Sequence, residues 1–570
     1  MDTLPVPARA SKNVLSRREI EGLIAAGQLI IILGTRVLNL DSWIGSHPGG
    51  DLAIKHMIGR DATDEVNALH SKQALRAMSA FQIGKIDGRW VNFIPPIQGG
   101  TFRCYIEEDD EVLEVVDDLS SEVSSELSSR PPSPIFDITE GPRLRHQPST
   151  STISSSPGPV ALKESSPEPR LGVMDARTQQ EIILDKAEYP PLDAEHQHSI
   201  TMKYRALNER IRKAGLYNCN YFAYAVEAFR YSILFAGFLF FLRHSWFGLS
   251  GVFLGCFWHQ LVFTAHDAGH MGITHDFQID TCIGIVIADF IGGLSLGWWK
   301  RSHNVHHIVT NSPEHDPDIE LMPFFAVSHR FFSNLRSTYY DRIMEYDAVS
   351  RCVVKYQHFL YYPILLFGRF NLYFLSWDHI ITCLSRGKKA HGVLWHSWLE
   401  LTGQVFFWIW FGYGVVYLSI PTWFDRVVFV LVSHMVTAPL HVQITLSHYG
   451  MSTADLGVHE SFPQKMLRTT MDVDCPPWLD FFHGGLQFQA VHHLYPRIPR
   501  HNLRKTQEFV KEFCEDVKIP YAVFTFLDGN KKVIGRLADI AAQARIFEQG
   551  QRACAEHEVL GTEHGHAHVH

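Results

Sequence analysis

The chain has 570 residues, enough for several domains, and 33 histidines make that residue its compositional outlier. A formal net charge of −9 is modest and spread along the chain, so nothing points to a nucleic-acid partner and none is expected. Nine cysteines form no CxxC pair and no regular framework, and Met1 to Ser16 does not read as a secretory signal, so a disulfide scaffold is excluded and the reducing cytosolic side is expected.

Residues 16–93 are predicted to form a small soluble α+β module, with a short helix over Ile20 to Gln28 and strand and turn over Leu29 to Leu40. His47-Pro48-Gly49-Gly50 places a histidine in a turn whose proline and glycines hold the backbone close to a flat ligand. His70 follows in a separate helical segment, from which it can approach the opposite face. Two neutral imidazoles on opposite faces of a haem give a six-coordinate iron that passes electrons and has no site for oxygen. His56, between them, is expected at the surface. HPGG, the later Gly59-Arg60-Asp61-Ala62-Thr63 and His70 together resemble cytochrome b5. That resemblance implies one haem b with His47 and His70 as its axial ligands.

Residues 94–194 change character. An acidic run from Glu107 to Asp118 precedes a Ser/Pro/Glu-rich stretch with Ser-Pro pairs at Ser133, Ser156 and Ser166. Such composition cannot bury enough apolar surface to offset chain entropy, so a disordered linker is predicted, letting the haem module swing.

Residues 195–530 are predicted to form an α-helical integral membrane domain. Ala225 to Leu242, Trp246 to Ala265, Trp395 to Ile420 and Trp423 to Ser447 each approach the roughly 20 residues needed to cross a bilayer. They pair into two hairpins, and Trp246 and Trp423 at the turns suit the membrane interface. Cys282 to Trp299 and Phe359 to Trp377 are interrupted by polar residues, glycine or proline and are expected to lie in the interface, the competing reading being a fifth or sixth span. Basic residues such as Lys300, Arg301, Arg330 and Arg336 gather between the hairpins, whereas the outer turns carry only Arg243 and Arg426. The positive-inside tendency therefore puts the intervening segment in the cytosol. Residues 531–570, ending in alternating His564, His566, His568 and His570, are predicted to be a disordered polar tail with no catalytic part.

Seven histidines in three clusters carry the chemistry: His266 and His270 in HDAGH, His303, His306 and His307 in HNVHH, and His492 and His493 in QAVHH. Residues three and four apart share a helix face, so each cluster aims its imidazoles at one point. Seven imidazoles are too many for one metal, and a nitrogen-rich site with room for oxygen suits non-haem iron. Two irons ligated mainly by histidine are expected. With four spans, all three clusters reach the same face of the membrane.

The order and intervals of these boxes resemble the membrane fatty-acid desaturase family. Gln489 in place of a first histidine in the third box, the fused cytochrome b5-like module, and the runs Asn311 to Asp318 and His493-Leu494-Tyr495-Pro496 are similar to its front-end branch. The acidic insert and overall length are most similar to the fungal Δ8 sphingolipid desaturases. This resemblance implies a sphingolipid or ceramide substrate desaturated at carbon 8 of its long-chain base, with a front-end acyl desaturase as the alternative. It implies O2 as co-substrate, activated at two irons, and two electrons per turnover from NADH through a separate cytochrome b5 reductase and the fused haem. The chain has no GxGxxG of its own. It further implies iron ligands beyond the boxes: His448 first, His483 more weakly, and Gln489 through its carbonyl or a held water. Asp267, Asn304 and Asp316 are expected to accept imidazole N–H groups, and His259 and His434, which fall within spans, to hydrogen-bond to neighbouring helices. Trp298 and Trp299 are expected to line a lipid tunnel or anchor the interface. The expected location is the endoplasmic reticulum, with haem module and boxes cytosolic. A lipid hydroxylase and a membrane-anchored haem carrier are the rival outcomes.

Overall fold

The computed structural model describes residues 14–104, 172–386 and 394–564. The Ser/Pro-rich stretch, and with it most of the expected disordered linker, lies outside these residues, as do His566, His568 and His570.

The N-terminal module is α+β, as its sequence pattern predicts. Helix Arg17–Ala25 opens on a capping box in which Ser16 and Glu19 bond each other's backbone. Strands Ile30–Leu33, Arg36–Asn39 and Gln82–Lys85 form an antiparallel sheet with Arg36–Asn39 in the centre. Strand alternation divides the first strand between two cores. Ile30 and Ile32 pack with Ile20, Val37 and Phe93, while Ile31 and Leu33 pack with Leu38, Leu52 and Val66. This second core does not end at the module boundary, because Val305, Ile308 and Val309 of the HNVHH helix complete it.

Among the described residues, four helices are long and apolar enough to cross a membrane: Tyr221–Arg243, Phe247–Gly269, Trp395–Ser419 and Trp423–Tyr449. The first faces outward, with Phe222 77% and Phe229 70% exposed, as a lipid-facing helix requires. The second lies at the centre, packed on the first and the fourth. Gly251 and Gly255 make that approach possible. A Cβ on Gly255 would lie 2.6 Å from the Ser433 carbonyl oxygen and 2.7 Å from Val436 Cβ, so only glycine fits. The interrupted stretch after the first hairpin forms Phe277–Ile291 and Leu296–Val309, which meet at 118°. Gly293, at φ +70°, makes the corner, and Ser295 caps the second helix by accepting from Trp298 N. The other interrupted stretch divides at Phe367 into Gln357–Leu366 and Gly368–Arg386.

The predicted tail is corrected by the structure. Phe526–His564 is one 39-residue helix. Val533, Leu537, Ile540, Ala541 and Ala544 are fully buried along it, and the Leu537 carbonyl accepts from Gln357 Nε2 at 2.9 Å. Overall polarity concealed an apolar stripe at three- and four-residue spacing. The end of the predicted linker differs likewise. Val173–Glu188 is helical, Glu181 meets Arg536 at 3.0 Å, and Asp185 meets the buried Arg468 at 2.8 Å. Leu537→Ala is expected to cost about 2–5 kcal/mol, read as a lower thermal midpoint of the detergent-solubilised chain. An unchanged midpoint would mean that this helix is not part of the cooperative core.

The haem module is docked. Arg205 pairs with Asp64 at 2.7 Å, Arg301 with Asp51 at 3.4 Å, and Arg497 donates to the His70 carbonyl at 2.9 Å. His56, expected at the surface, is fully buried in this seam, where Gln98 Nε2 lies 2.9 Å from its Nδ1 and its ring lies 5.2 Å from that of His315. The second unit buries it.

Candidate metal centre and haem pocket

His47 and His70 face each other across a cavity of about 820 Å³, with ring centroids 5.9 Å apart. His47 Nδ1–H donates to the Gly50 carbonyl at 2.7 Å, and His70 Nδ1–H to that of Val66 at 3.0 Å. Each bond fixes a tautomer and leaves Nε2 with its lone pair. Burial holds His70 down to about 3 and lowers His47 as well, so both rings are neutral at physiological pH. Bonds of about 2 Å from two such nitrogens to one central iron put the ring centroids roughly 6 Å apart, so the gap fits a haem. A Cβ on Gly49 would come within 2.9 Å of His47 Cε1 and 2.8 Å of Asn304 Nδ2, which accounts for a glycine in HPGG.

The side chains expected to ligate metal come from four elements. His266 lies in the last turn of the second span and His270 caps it. His303, His306 and His307 share one face of helix Leu296–Val309. His492 and His493 lie on the short helix Gln489–Leu494, and His448 lies in the last turn of the fourth span. Two crossings per hairpin return the second and fourth spans to the same level, which is why their ends meet.

The histidines gather into two foci. Ligand atoms of His266, His270, His303 and His492 lie within 4.8 Å of one another, and so do those of His306, His448 and His493. His307 stands between the foci, its ring 4.9 Å from that of His492 and 4.3 Å from that of His493. Its Nε2 is 3.2 Å from His303 Nε2, and the Nε2 atoms of His306 and His493 are 3.3 Å apart. Such edges suit nitrogens sharing a metal at bonds of about 2.1 Å. His270 Nε2, His448 Nδ1 and His492 Nε2 are buried without a hydrogen-bond partner. Orphaned buried nitrogens are costly unless something else satisfies them, and metal ions at the foci would do so.

Carboxylates surround the histidines. Both oxygens of the fully buried Asp316 lie 2.9 Å from His306 Nδ1, the outer-shell arrangement that turns Nε2 toward a metal. Asp318, to which sequence reasoning gave no role, lies 3.7 Å from the Nδ1 atoms of both His303 and His306 and forms a third ligand group with them. Burial alone would raise its pKa, but His306 and His303 outweigh that and hold it well below the usual carboxylate range. Asp267 has one oxygen 3.9 Å from His266 Nδ1, and the other meets Tyr224 and Arg500. Arg500 also reaches Glu227, so this buried guanidinium, which sequence reasoning missed, ties the first span to the first box.

The remaining expected residues divide. Gln489 is 5% exposed at the start of the third-box helix. Trp299 packs on the centre, 4.6 Å from the His303 ring and 5.3 Å from that of His270. His434 Nε2 lies 3.1 Å from Tyr373 Oη on a neighbouring helix, as expected, while its Nδ1 bonds the Val430 carbonyl of its own helix at 2.7 Å. His259 does not make the expected bond to a neighbouring helix: it stacks on Phe482 with its Nε2 unsatisfied and its Nδ1 3.3 Å from Gln260 of its own helix, and His483 packs against Phe482 and Phe526. Asn304 is a correction. It lines the haem cavity, as does His270, so the two candidate sites share a wall.

Residues 16–87 match the cytochrome b5-like heme/steroid binding domain, and residues 243–525 match the fatty acid desaturase family. The chain is 65% identical over 553 residues to the Delta 8-(E)-sphingolipid desaturase of Emericella nidulans, spanning 97% of this chain and 98% of that protein. It is 48% identical to the protein of that name from Kluyveromyces lactis, over 94% of each chain. A more distant relative, the acyl-lipid (9-3)-desaturase of Borago officinalis, is 39% identical over 52% of this chain and 64% of its own. The chain belongs to the fatty acid desaturase family, as a desaturase that carries its own cytochrome b5-like domain.

Proposed function

We propose that this desaturase introduces the double bond at carbon 8 of the long-chain base of a sphingolipid, with E geometry. The carrying observation is near-full-length likeness to proteins named for that reaction, in a chain whose histidines form two complete foci. Removing hydrogens from unactivated methylenes is beyond side-chain acids and bases, and two irons at the foci would supply the O2 activation it requires. His266, His270, His303 and His492 would hold one iron, and His306, His448 and His493 the other, with His307 between them and Gln489 completing the set through its carbonyl or a held water.

The protein's own part is to orient and to exclude water. Asp316 fixes the His306 ring, Asp267 faces His266, and Trp299 covers His303 and His270. His306 and His493 are each 1% exposed and His307 2%, so bulk water is kept from the reacting face. A haem b held by His47 and His70 would supply one-electron transfer, beside a wall that includes His270. A separate NADH-cytochrome b5 reductase would reduce it. The four spans would lie in the endoplasmic reticulum membrane, with haem module and boxes on the cytosolic side.

The test is expression in a host lacking desaturated sphingoid bases, followed by mass spectrometry that locates the double bond. A Δ8-unsaturated long-chain base is the expected product. A hydroxylated base would make the protein a hydroxylase, and a newly unsaturated acyl chain would make it a front-end acyl desaturase. Haem reduction with no lipid change would leave only an electron carrier.

A further inference from the structure

The haem cavity is closed on one side by the desaturase unit, and the fixed charge which that unit sends into it is Lys300. Lys300 lies one turn before His303 on helix Leu296–Val309. It is 8% exposed, and its Nζ is buried with no hydrogen-bond partner. Its close contact is the face of Phe277, 4.7 Å from the ring centroid. A cation–π contact does not replace the hydrogen bonds that a buried ammonium loses on leaving water, and unpaired buried charges are strongly disfavoured. The neighbouring cations are differently placed. Arg301 reaches Asp51 and Arg497 donates to the His70 carbonyl, both holding the module in place. Asp280 acts on it only from a distance, its oxygens taken up by the N–H groups of Ile273, Thr274 and His275, so Lys300 is a buried cation with no anion in hydrogen-bond reach.

The cavity says which anion. Its inner end is apolar, lined by Ile31, Leu38 and Met57, with His47 and His70 across the gap. A flat macrocycle with an apolar rim and two carboxylates on one edge would bury the rim among these side chains. Its carboxylates would then face the polar wall. Ser71, on the module's own side, already caps a helix by accepting from Ala74 N, and Arg76 is exposed. We propose that Lys300, reaching across from the desaturase unit, pairs its ammonium with a haem propionate, so that the cofactor of one domain is anchored by the other. This rests on the assignment of a haem to His47 and His70. Haem binding then favours the docked arrangement, because the pair forms only when the two units are together.

Haem loss from the full chain in lipid nanodiscs to excess apomyoglobin tests this, for wild type, Lys300→Met and Lys300→Arg. Each is loaded with protohaem or with its dimethyl ester, which carries no propionate charge. With protohaem, Lys300→Met should lose haem about ten-fold faster than wild type, and Lys300→Arg should stay close to wild type. With the diester, wild type and Lys300→Met should lose haem at one rate, closing the cycle between Lys300 and the carboxylate. Equal rates with protohaem overturn the proposal. So does a Lys300→Met effect that persists undiminished with the diester, since that would be packing alone. If Lys300→Met fails to fold, wild type still decides: loss no faster with the diester than with protohaem overturns the pairing. A wild-type chain that never shows a bis-histidine Soret spectrum overturns the haem assignment itself.

Discussion

His306→Ala is expected to abolish desaturation, by about a hundred-fold or more in product formed, while the haem spectrum stays that of wild type. His306 is 1% exposed and belongs to two ligand groups, one with His448 and His493 and one with His303 and Asp318. Its removal deletes a ligand and also leaves Asp316 without the one imidazole N–H that both its oxygens face at 2.9 Å. A buried carboxylate without that partner has no ring left to orient, and it carries a desolvation cost of its own. Non-haem iron should therefore fall in the purified variant while haem iron does not, because His306 does not line the haem cavity. Iron analysis and the Soret band separate the two. Full iron content with full activity would remove His306 from the metal site.

The parts of this centre that were legible in the sequence are those governed by helical spacing. His266 and His270, and His303, His306 and His307, share faces because residues three and four apart do so. The apolar lengths gave four spans, and an even number of crossings brings HDAGH, His448 and QAVHH to one level. Asn304 illustrates a limit of the same logic. As the neighbour of His303 it points elsewhere on the helix, and it lines the cavity between His47 and His70 instead. Asp318 and Arg500 were hidden for another reason. Asp318 reaches the histidines through a turn after their helix, and Arg500 comes from far along the chain to tie the first two spans together, closures that no local period encodes. His56 is buried by a second unit, which the module's own pattern cannot register. The C-terminal helix was lost to averaging, since its apolar stripe is narrow and its other faces are polar.

His47→Ala is expected to remove haem and, with it, desaturation supported by NADH and reductase. The loss of activity should match that of His306→Ala, but with the opposite signature: haem absent and non-haem iron retained. His47 is fixed by its bond to the Gly50 carbonyl and faces His70 across the cavity, so alanine leaves one axial ligand where a six-coordinate iron needs two. The docked module sharpens the expectation. Its seam with the desaturase unit is held by Asp64 with Arg205, Asp51 with Arg301, and the apolar contacts of Val305, Ile308 and Val309, none of which involves His47. The haem-free module should therefore still cover the wall formed by His270, Lys300 and Asn304. Free cytochrome b5 added to His47→Ala should then restore little activity, because the surface it would need is occupied. Activity without any added donor would sink the fused haem as electron source. Efficient rescue by free cytochrome b5 would instead show that the module leaves its seam during turnover, so that the docked arrangement is one state of a moving donor.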